Sequence, residues 1–295
     1  MSLGGFPGGT RTVRGIAKWL GIAAVVALLA AAGIALYVYF ASERILAARY
    51  EARPERLPDP TEAQRADAGR QVRLLGCISC HGEGLSGKIL VDAPRLARLY
   101  ASNLTQVATE YSDEQLAQGI RQGLRKDGRA LWVMPSKTFS RLSETETAAI
   151  VEFIRSLPAA GAPTPSLAIG PLGRLGLVRG AFKPEPVNVA DYQRRPPLNA
   201  GAEHDAGRHL AATICAHCHG PDLAGNTLAS SQAAPDLAIV GTYELSAFAT
   251  LMKTGIAAGG RELGIMSRIA RADLSNLTDQ EIAALYAYLR ARSQR

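Results

Sequence analysis

Residues 77–81 and 215–219 both read Cys-x-x-Cys-His. Two thiols separated by two residues fall on one turn of a helix, where they can form thioether bonds with the two vinyl groups of one haem. The histidine that follows directly is then placed to bind the iron from one side, and this spacing is the attachment signature of c-type haem. Each copy predicts one covalently bound haem c. The predicted attachment residues are Cys77, Cys80, Cys215 and Cys218, and the predicted iron ligands on this side are His81 and His219.

A second repeated pattern offers a ligand for the other side of each iron. The sequence Gly-Arg-x-Leu-x-x-Met occurs at 128–134 and again at 260–266. Of the 4 methionines in the chain, only Met134 and Met266 stand at equivalent positions in the two repeats. A thioether opposite a histidine favours reduced iron and raises its reduction potential. The pattern therefore predicts two His/Met haems, which is typical of an electron carrier.

These residue types also have other uses in proteins. A Cys-x-x-Cys pair can be a thioredoxin-like redox site or half of a zinc site, but the sequence has neither a surrounding βαβ pattern nor a second cysteine pair close by. A methionine can also be a core residue. The first repeat contains no histidine besides His81, whereas the second repeat offers several competitors to Met266. Those competitors are Met252, Lys253, His204, His209 and His217.

The N-terminal part of the chain has the composition of a membrane anchor. Residues 19–40 form an uncharged stretch rich in Ala, Leu, Val and Ile, long enough as a helix to span a bilayer core. Basic residues precede it in the predicted tail 1–18, so the positive-inside rule places that tail in the cytoplasm and the rest of the chain outside. A cleaved signal peptide is the alternative, although its apolar region is usually about half as long.

The remaining chain divides into two similar halves joined by a connector. We predict a juxtamembrane stalk at 41–60, in which helix could continue to Arg53, and domains at 61–158 and 202–295. The Pro/Gly-rich segment 159–201 is either a linker or a strap over the domains.

Each domain is predicted to be helical. A first helix leads into each Cys-x-x-Cys-His motif, over 61–75 in one domain and 202–214 in the other. A closing helix in each domain starts at a Ser/Thr-x-x-Glu capping box. A glycine on each first helix and an aromatic residue on each closing helix suggest that the two cross closely. The residues concerned are Gly69 with Phe153 and Gly207 with Tyr288, and the capping boxes are Ser143 with Glu146 and Thr278 with Glu281.

Taken together, both halves resemble class I cytochrome c domains. The resemblance covers about two thirds of the chain and is carried by Gly69, Cys77, Cys80, His81, Pro94, Met134 and Phe153, and again by Gly207, Cys215, Cys218, His219, Pro235, Met266 and Tyr288. As a whole the chain resembles the membrane-anchored dihaem cytochromes c of bacterial respiratory chains. The resemblance implies an all-α fold in each domain. It also implies that the carbonyl groups of Pro94 and Pro235 accept a hydrogen bond from the haem histidines and orient them.

The two copies differ in the length of the stretch between this proline and a later glycine, Gly123 in one copy and Gly255 in the other. Aligned on the prolines, the stretch 94–123 is longer than 235–255, so we expect the second copy to lack a counterpart of Asn103-Leu104-Thr105. Trp132 in the first copy corresponds to Gly264 in the second. We expect the second haem to have a more open edge and a different reduction potential.

These features favour a non-catalytic electron-transfer protein. It would carry electrons from a quinol-oxidising complex or periplasmic dehydrogenase to a terminal oxidase or other acceptor, in the periplasm and anchored in the bacterial inner membrane by one helix. The alternatives are a dihaem peroxidase-like enzyme and a dedicated cytochrome subunit of one dehydrogenase or oxidase complex. The net charge of +7 is not gathered into a basic stripe with interleaved aromatic residues, so nucleic-acid binding has no support.

Overall fold

The structure, a computed structural model, describes residues 9–227 and 233–295 and is mostly helical, which confirms the predicted fold class. The predicted tail 1–18 lies partly outside these residues. The helices are α1 Gly9–Ala47, α2 Glu62–Leu74, α3 Cys77–His81, α4 Leu104–Glu110, α5 Asp113–Gln122, α6 Ser136–Phe139, α7 Glu144–Ser156, α8 Pro171–Val178, α9 Glu185–Arg194, α10 Asp205–Leu210, α11 Ala216–His219, α12 Leu245–Thr254, α13 Ile265–Ala272 and α14 Asp279–Ser293.

Short antiparallel strands accompany the helices. The first domain has a hairpin whose second strand also pairs with a short strand of the connector, and the second domain has two small hairpins. The strands are β1 Lys88–Ala93, β2 Ala97–Ala101, β3 Ala168–Ile169, β4 Asn226–Thr227, β5 Ala233–Ala234, β6 Ile256–Ala257 and β7 Arg261–Glu262.

Helix α1 contains the predicted anchor and ends earlier than expected. Its part Gly15–Ala47 is long and apolar enough to cross a membrane, with a mean hydropathy of 2.4 over its most apolar window and no burial there. The expectation that helix continues to Arg53 is wrong, because the chain after Ala47 binds to the first domain instead. The amide of Tyr50 donates to the Gly128 carbonyl at 2.8 Å, and the amide of Arg53 donates to the Gln122 side chain at 2.9 Å.

In the first domain, helices α2 and α7 cross at Gly69. A Cβ atom on Gly69 would lie 3.2 Å from the ring of Phe153, so the absence of a side chain sets how closely the helices approach. Helix α7 starts at the predicted capping box, since Ser143 and Glu146 each bond the other's backbone amide. Val72 and Leu85 lie in the core beneath this crossing.

The second domain repeats the crossing between α10 and α14, with a tighter contact. A Cβ atom on Gly207 would lie 2.1 Å from the Ala284 carbonyl oxygen and 2.7 Å from the Cβ of Tyr288. The predicted capping box at Thr278 and Glu281 is present. The first helix is less regular than predicted: a 3₁₀ turn precedes α10, and a π-helical turn at Ala211–Cys215 follows it and leads into the attachment motif.

The connector packs against four elements that precede it in the chain. Its strand β3 extends the β1–β2 sheet, α8 contacts the end of α1, and α9 lies against α5 and α6. This arrangement is that of a strap and not of a free linker.

Two equivalent side-chain pairs join the domains, and in each pair a residue on one domain's first helix binds a glutamate on the other domain's closing helix. Arg70 on α2 binds Glu281 at the start of α14 at 2.8 Å, and His209 on α10 binds Glu146 at the start of α7 at 2.8 Å. Both acceptors are the capping-box glutamates of the closing helices. Leu74, from the first domain, is 2% exposed and belongs to the core of the second. The packing of the two domains is therefore part of the fold of each.

The glycine crossings generate a prediction about stability. Replacement Gly207→Ala puts a methyl group against a backbone carbonyl that cannot rotate away, and we expect it to cost about 2 kcal/mol or more of unfolding free energy. The matched replacement Gly69→Ala meets only a phenyl ring edge and gains helix propensity, so its cost should stay below about 1 kcal/mol. Denaturant unfolding of the haem-loaded variants measures both, and equal costs would contradict this account.

The ion pair between His209 and Glu146 predicts a pH dependence. Burial alone would raise the pKa of Glu146, but the hydrogen bond and charge of His209, together with Ser143, lower it to about 2. A lowered carboxyl pKa stabilises the fold above the unfolded value of about 4.3 and loses that contribution as the pH falls toward 2. Glu146→Gln keeps the capping box but not the charge. Its urea midpoint should therefore lie below that of the parent at pH 6 and approach it at pH 2.5; a constant difference would refute the assignment.

Candidate haem-binding sites

Each attachment motif lies on short helical turns that follow the first helix of its domain, after a left-handed residue in the first domain and through a π-helical turn in the second. In the first domain Gly76, with φ +73°, turns the chain from α2 into α3. The Gly87 amide then donates to the His81 carbonyl at 2.8 Å, and in the second domain the Gly225 amide donates to His219 at 2.9 Å. The two cysteines and the histidine of the first motif thus lie on α3, whereas in the second motif Cys215 ends the π-helical turn and Cys218 and His219 lie on α11.

Each histidine ring is oriented by a backbone carbonyl. Nδ1 of His81 lies 2.7 Å from the Ser102 carbonyl oxygen, and Nδ1 of His219 lies 2.8 Å from that of Pro235. With the proton on Nδ1, the lone pair of Nε2 is free to bind a metal. Nε2 of neither ring makes a hydrogen bond to the described residues. Burial lowers the pKa of both rings, which keeps them in the neutral, ligating form.

The structure gives the expected contact to Pro235 but contradicts the one assigned to Pro94. Pro94 lies in the exposed turn between β1 and β2, where its carbonyl oxygen faces Gly170 of the connector. The carbonyl that orients His81 is that of Ser102. The error arose because Ala-Pro-Arg-Leu and Ala-Pro-Asp-Leu look alike in sequence, although the first is a hairpin turn and the second follows the haem motif's own loop.

The corrected alignment also changes what distinguishes the two copies. Asn103 caps α4, and Asp236 caps the 3₁₀ turn Leu237–Thr242 at the same point after the histidine acceptor. The expectation that the second copy lacks a counterpart of Asn103-Leu104-Thr105 is therefore wrong. The extra length of the first copy lies in the β1–β2 hairpin, residues 88–101.

Each predicted methionine borders the same core as a cysteine of its motif. Met134, in the loop before α6, and Cys77 both pack on the first core, while Met266, on the first turn of α13, and Cys215 both pack on the second. All four are partly buried. In each domain a thioether and a thiol thus lie beside one apolar core, as a haem held between histidine and methionine requires.

The competitors of Met266 are engaged elsewhere. Met252 is 4% exposed in the core of the second domain. Lys253 donates to the Leu277 carbonyl, and His209 binds Glu146 across the domain interface. Of the remaining two, His204 lies beside Glu203, and His217 is an exposed residue within the attachment motif itself.

The donor chemistry fits haem c and not the alternatives. Within 9–227 and 233–295 no three His, Cys, Asp or Glu side chains form a cluster that could hold a bare metal ion. The described sheets are all antiparallel, unlike the parallel sheet of a βαβ unit. Burial raises the pKa of both Cys77 and Cys215 to about 12. These thiols therefore sit in apolar surroundings suited to a porphyrin edge.

The domain interface places a negative side chain beside the first attachment motif and a positive side chain beside the second. At the first, Ser79 Oγ donates to the carboxylate of Asp273, which follows α13 of the other domain. At the second, Lys137 on α6 lies near Cys218 and 5.2 Å from the ring of Tyr192, whose hydroxyl donates to the Ala216 carbonyl. The sequence reasoning missed these residues, since no local motif marks a contact that depends on domain packing.

Comparison with known proteins agrees with this geometry. The cytochrome c family profile matches residues 66–158 and 204–293. The fructose dehydrogenase cytochrome subunit of Gluconobacter japonicus is 27% identical over 269 residues, which cover 79% of this chain and 54% of the relative. The chain thus spans about half the length of that relative.

Two further relatives match over shorter regions. A nicotinate dehydrogenase subunit of Pseudomonas putida is 26% identical over 54% of this chain and 14% of its own length. The Cbb3-type cytochrome c oxidase subunit CcoP of Rhodobacter capsulatus is 32% identical over 33% of this chain and 31% of its own length. Because the profile covers more than half of the chain, in two segments, the protein belongs to the cytochrome c family, whose domains carry covalent haem c and transfer electrons.

Proposed function

We propose that this chain is a membrane-anchored dihaem cytochrome c that passes single electrons from a periplasmic dehydrogenase to an acceptor in a respiratory chain. The observation that carries the proposal is the presence of two complete donor sets on two packed cores. The attachment residues would be Cys77 and Cys80 for one haem and Cys215 and Cys218 for the other. The axial ligands would be His81 with Met134 and His219 with Met266.

Two sulfur–nitrogen ligand pairs favour electron transfer over substrate chemistry. Haem c supplies a one-electron redox couple when bound. The protein keeps each imidazole neutral and oriented, through the carbonyls of Ser102 and Pro235, and places a thioether beside each core. A dihaem peroxidase would need at least one iron with a displaceable sixth ligand and acid–base groups nearby, and the methionine present in both repeats argues against this alternative.

The domain interface supports electron transfer between the two haems. Each attachment motif touches the segment that follows the other domain's methionine: Ser79 contacts Asp273, and α11 contacts α6. The two haem sites would thus lie on either side of one interface. Opposite charges beside them, on Asp273 and Lys137, would separate the two potentials and give electron flow a direction.

The partners are proposed from the relatives and from α1. Two of the relatives are named as dehydrogenase subunits and one as an oxidase subunit, which supports a dehydrogenase as donor and an oxidase as acceptor. The apolar part of α1 would hold the chain in the bacterial inner membrane, with residues 1–18 in the cytoplasm and both haem domains in the periplasm.

Replacing the methionine ligands tests the donor sets. Met134→Leu and Met266→Leu should each leave one iron with an open sixth position, so the reduced variant binds one carbon monoxide per two haems, while the parent binds almost none. Met252→Leu is the matched control and should behave like the parent. Optical titration with carbon monoxide measures this. Carbon monoxide binding to Met252→Leu, with none to Met266→Leu, would show that Met252 and not Met266 is the iron ligand.

The charges at the interface predict shifts in potential. Asp273→Asn can still accept the bond from Ser79 but removes a negative charge near the first haem, so that haem's potential should rise by tens of millivolts. Lys137→Gln should lower the potential of the second haem by a similar amount. Potentiometric titration of the full-length protein measures both haems together. Unchanged potentials in both variants would contradict the proposed placement of the charges.

Co-purification tests the proposed donor. The chain would be extracted from native membranes in mild detergent, and the proteins that accompany haem in fixed ratio identified by mass spectrometry. A dehydrogenase in stoichiometric amount supports the proposal and makes the chain a dedicated subunit. Recovery of the dihaem protein alone, with no reduction by any co-extracted dehydrogenase, would contradict it.

A further inference from the structure

The end of the apolar helix is attached to the connector by one arginine. Arg174, on α8, donates to Ser42 Oγ at 2.8 Å and forms an ion pair with Glu43 at 2.7 Å. Its guanidinium group also lies 4.5 Å from the centre of the Tyr39 ring. Ser42 is fully buried, whereas Tyr37, five residues earlier, is 65% exposed. Helix α1 is therefore exposed before the level of Arg174 and packs against the connector from that level onward.

This contact sets the height of α8 relative to the predicted bilayer. At about 1.5 Å per residue, Ser42 lies about 3 Å beyond Phe40, the last residue of the apolar stretch. Arg174 of α8 thus contacts α1 within one helical turn of the expected hydrocarbon boundary. Tyr37, Tyr39 and Phe40 mark the same level, where aromatic side chains are enriched in membrane proteins.

Helix α8 is also fixed firmly to the first domain. The Gly170 amide donates to the Leu96 carbonyl at 2.9 Å, and the Leu172 amide donates to the Arg95 carbonyl at 3.0 Å. A Cβ atom on Gly173 would lie only 2.1 Å from the Leu96 oxygen. We call residues 94–96 and 170–183 the collar, because α8, which contacts the end of α1, is bonded through them to the first domain.

The collar exposes apolar and cationic side chains together. Leu172 is 58% exposed and Phe182, whose ring lies over Gly176, is 44% exposed. Arg95 and Arg179 are exposed beside them. Large exposed apolar groups flanked by cations are the composition of elements that lie in the headgroup region of a bilayer.

We propose that the collar seats on the surface of the bilayer, with Leu172 and Phe182 in the interface and Arg95 and Arg179 facing anionic headgroups. This proposal rests on the membrane anchoring of α1 given above. Lipid is the expected occupant because the collar is continuous with the anchor: Arg174 binds α1 in the first turn after the apolar stretch. The positive charges complement anionic headgroups, and the exposed apolar side chains suit the interface between headgroups and acyl chains.

Seating the collar would fix how the first domain stands on the membrane. Strand β2 runs from the collar directly to Ser102, whose carbonyl orients His81. The chain between the membrane contact and the haem histidine is thus short and hydrogen-bonded throughout the hairpin. The first haem would have one orientation to the bilayer and not a range of orientations on a flexible stalk.

Photo-crosslinking of the full-length holoprotein tests the proposal. A benzophenone amino acid replaces Leu172 or Phe182, and the protein is placed in nanodiscs of phosphatidylcholine with phosphatidylglycerol. The control positions are Ile239 and Leu245, which are exposed apolar residues of the second domain. We expect lipid adducts at 172 and 182 several-fold above those at the controls, and a lower yield when phosphatidylglycerol is left out.

The outcomes separate this proposal from the one it rests on. Resistance of the chain to alkaline extraction from the same membranes reports the anchor by itself. A chain that resists extraction but gives no lipid adducts above control at 172 and 182 keeps its anchor and overturns the seating of the collar. Adducts to a co-purifying protein in native membranes, in place of lipid, would also overturn it and make the collar a protein contact.

Discussion

The hydrogen bond from each haem histidine to a backbone carbonyl is the interaction on which the rest of the structure depends. It fixes the tautomer and the direction of the ring, so that Nε2 would face a haem attached at the neighbouring cysteines. The surrounding elements serve this geometry. The turn at Gly76 starts the attachment helix of the first domain. The close helix crossings at Gly69 and Gly207 fix the position of the helix that leads into each attachment motif. The two domains achieve the same bond with different residues, Ser102 in one and Pro235 in the other.

The second organising feature is the interface between the domains. Equivalent glutamates, Glu146 and Glu281, bind a side chain from the other domain's first helix, but one partner is a histidine and the other an arginine. The same near-symmetry places Asp273 at one attachment motif and Lys137 at the other. These charge differences would make the two proposed haem environments unequal. An electron carrier with two centres in series benefits from that inequality, because it gives each transfer step a direction.

The sequence alone predicts those parts of the site that are local. The Cys-x-x-Cys-His motifs and the capping boxes at Ser143 and Thr278 need only a few neighbouring residues, and the structure has all of them as helices and caps. The Ser102 carbonyl, which accepts the hydrogen bond from His81, could not be found in this way. The β1–β2 hairpin separates it from the attachment motif, and the tetrapeptide around Pro94 resembles the one around Pro235. Contacts such as Arg70 with Glu281 join residues far apart in the chain, and they depend on how the two cores pack against each other. No periodicity or spacing encodes that packing.

The central claim is that both irons are six-coordinate with histidine and methionine. Electron paramagnetic resonance of the oxidised, full-length protein, with haem counted by pyridine haemochrome, tests it most directly. The account predicts two haems per chain and two low-spin ferric signals that together account for all the iron. A high-spin ferric signal equal to one haem per chain would contradict it, because that haem would lack its methionine ligand and the chain would carry an open, reactive site.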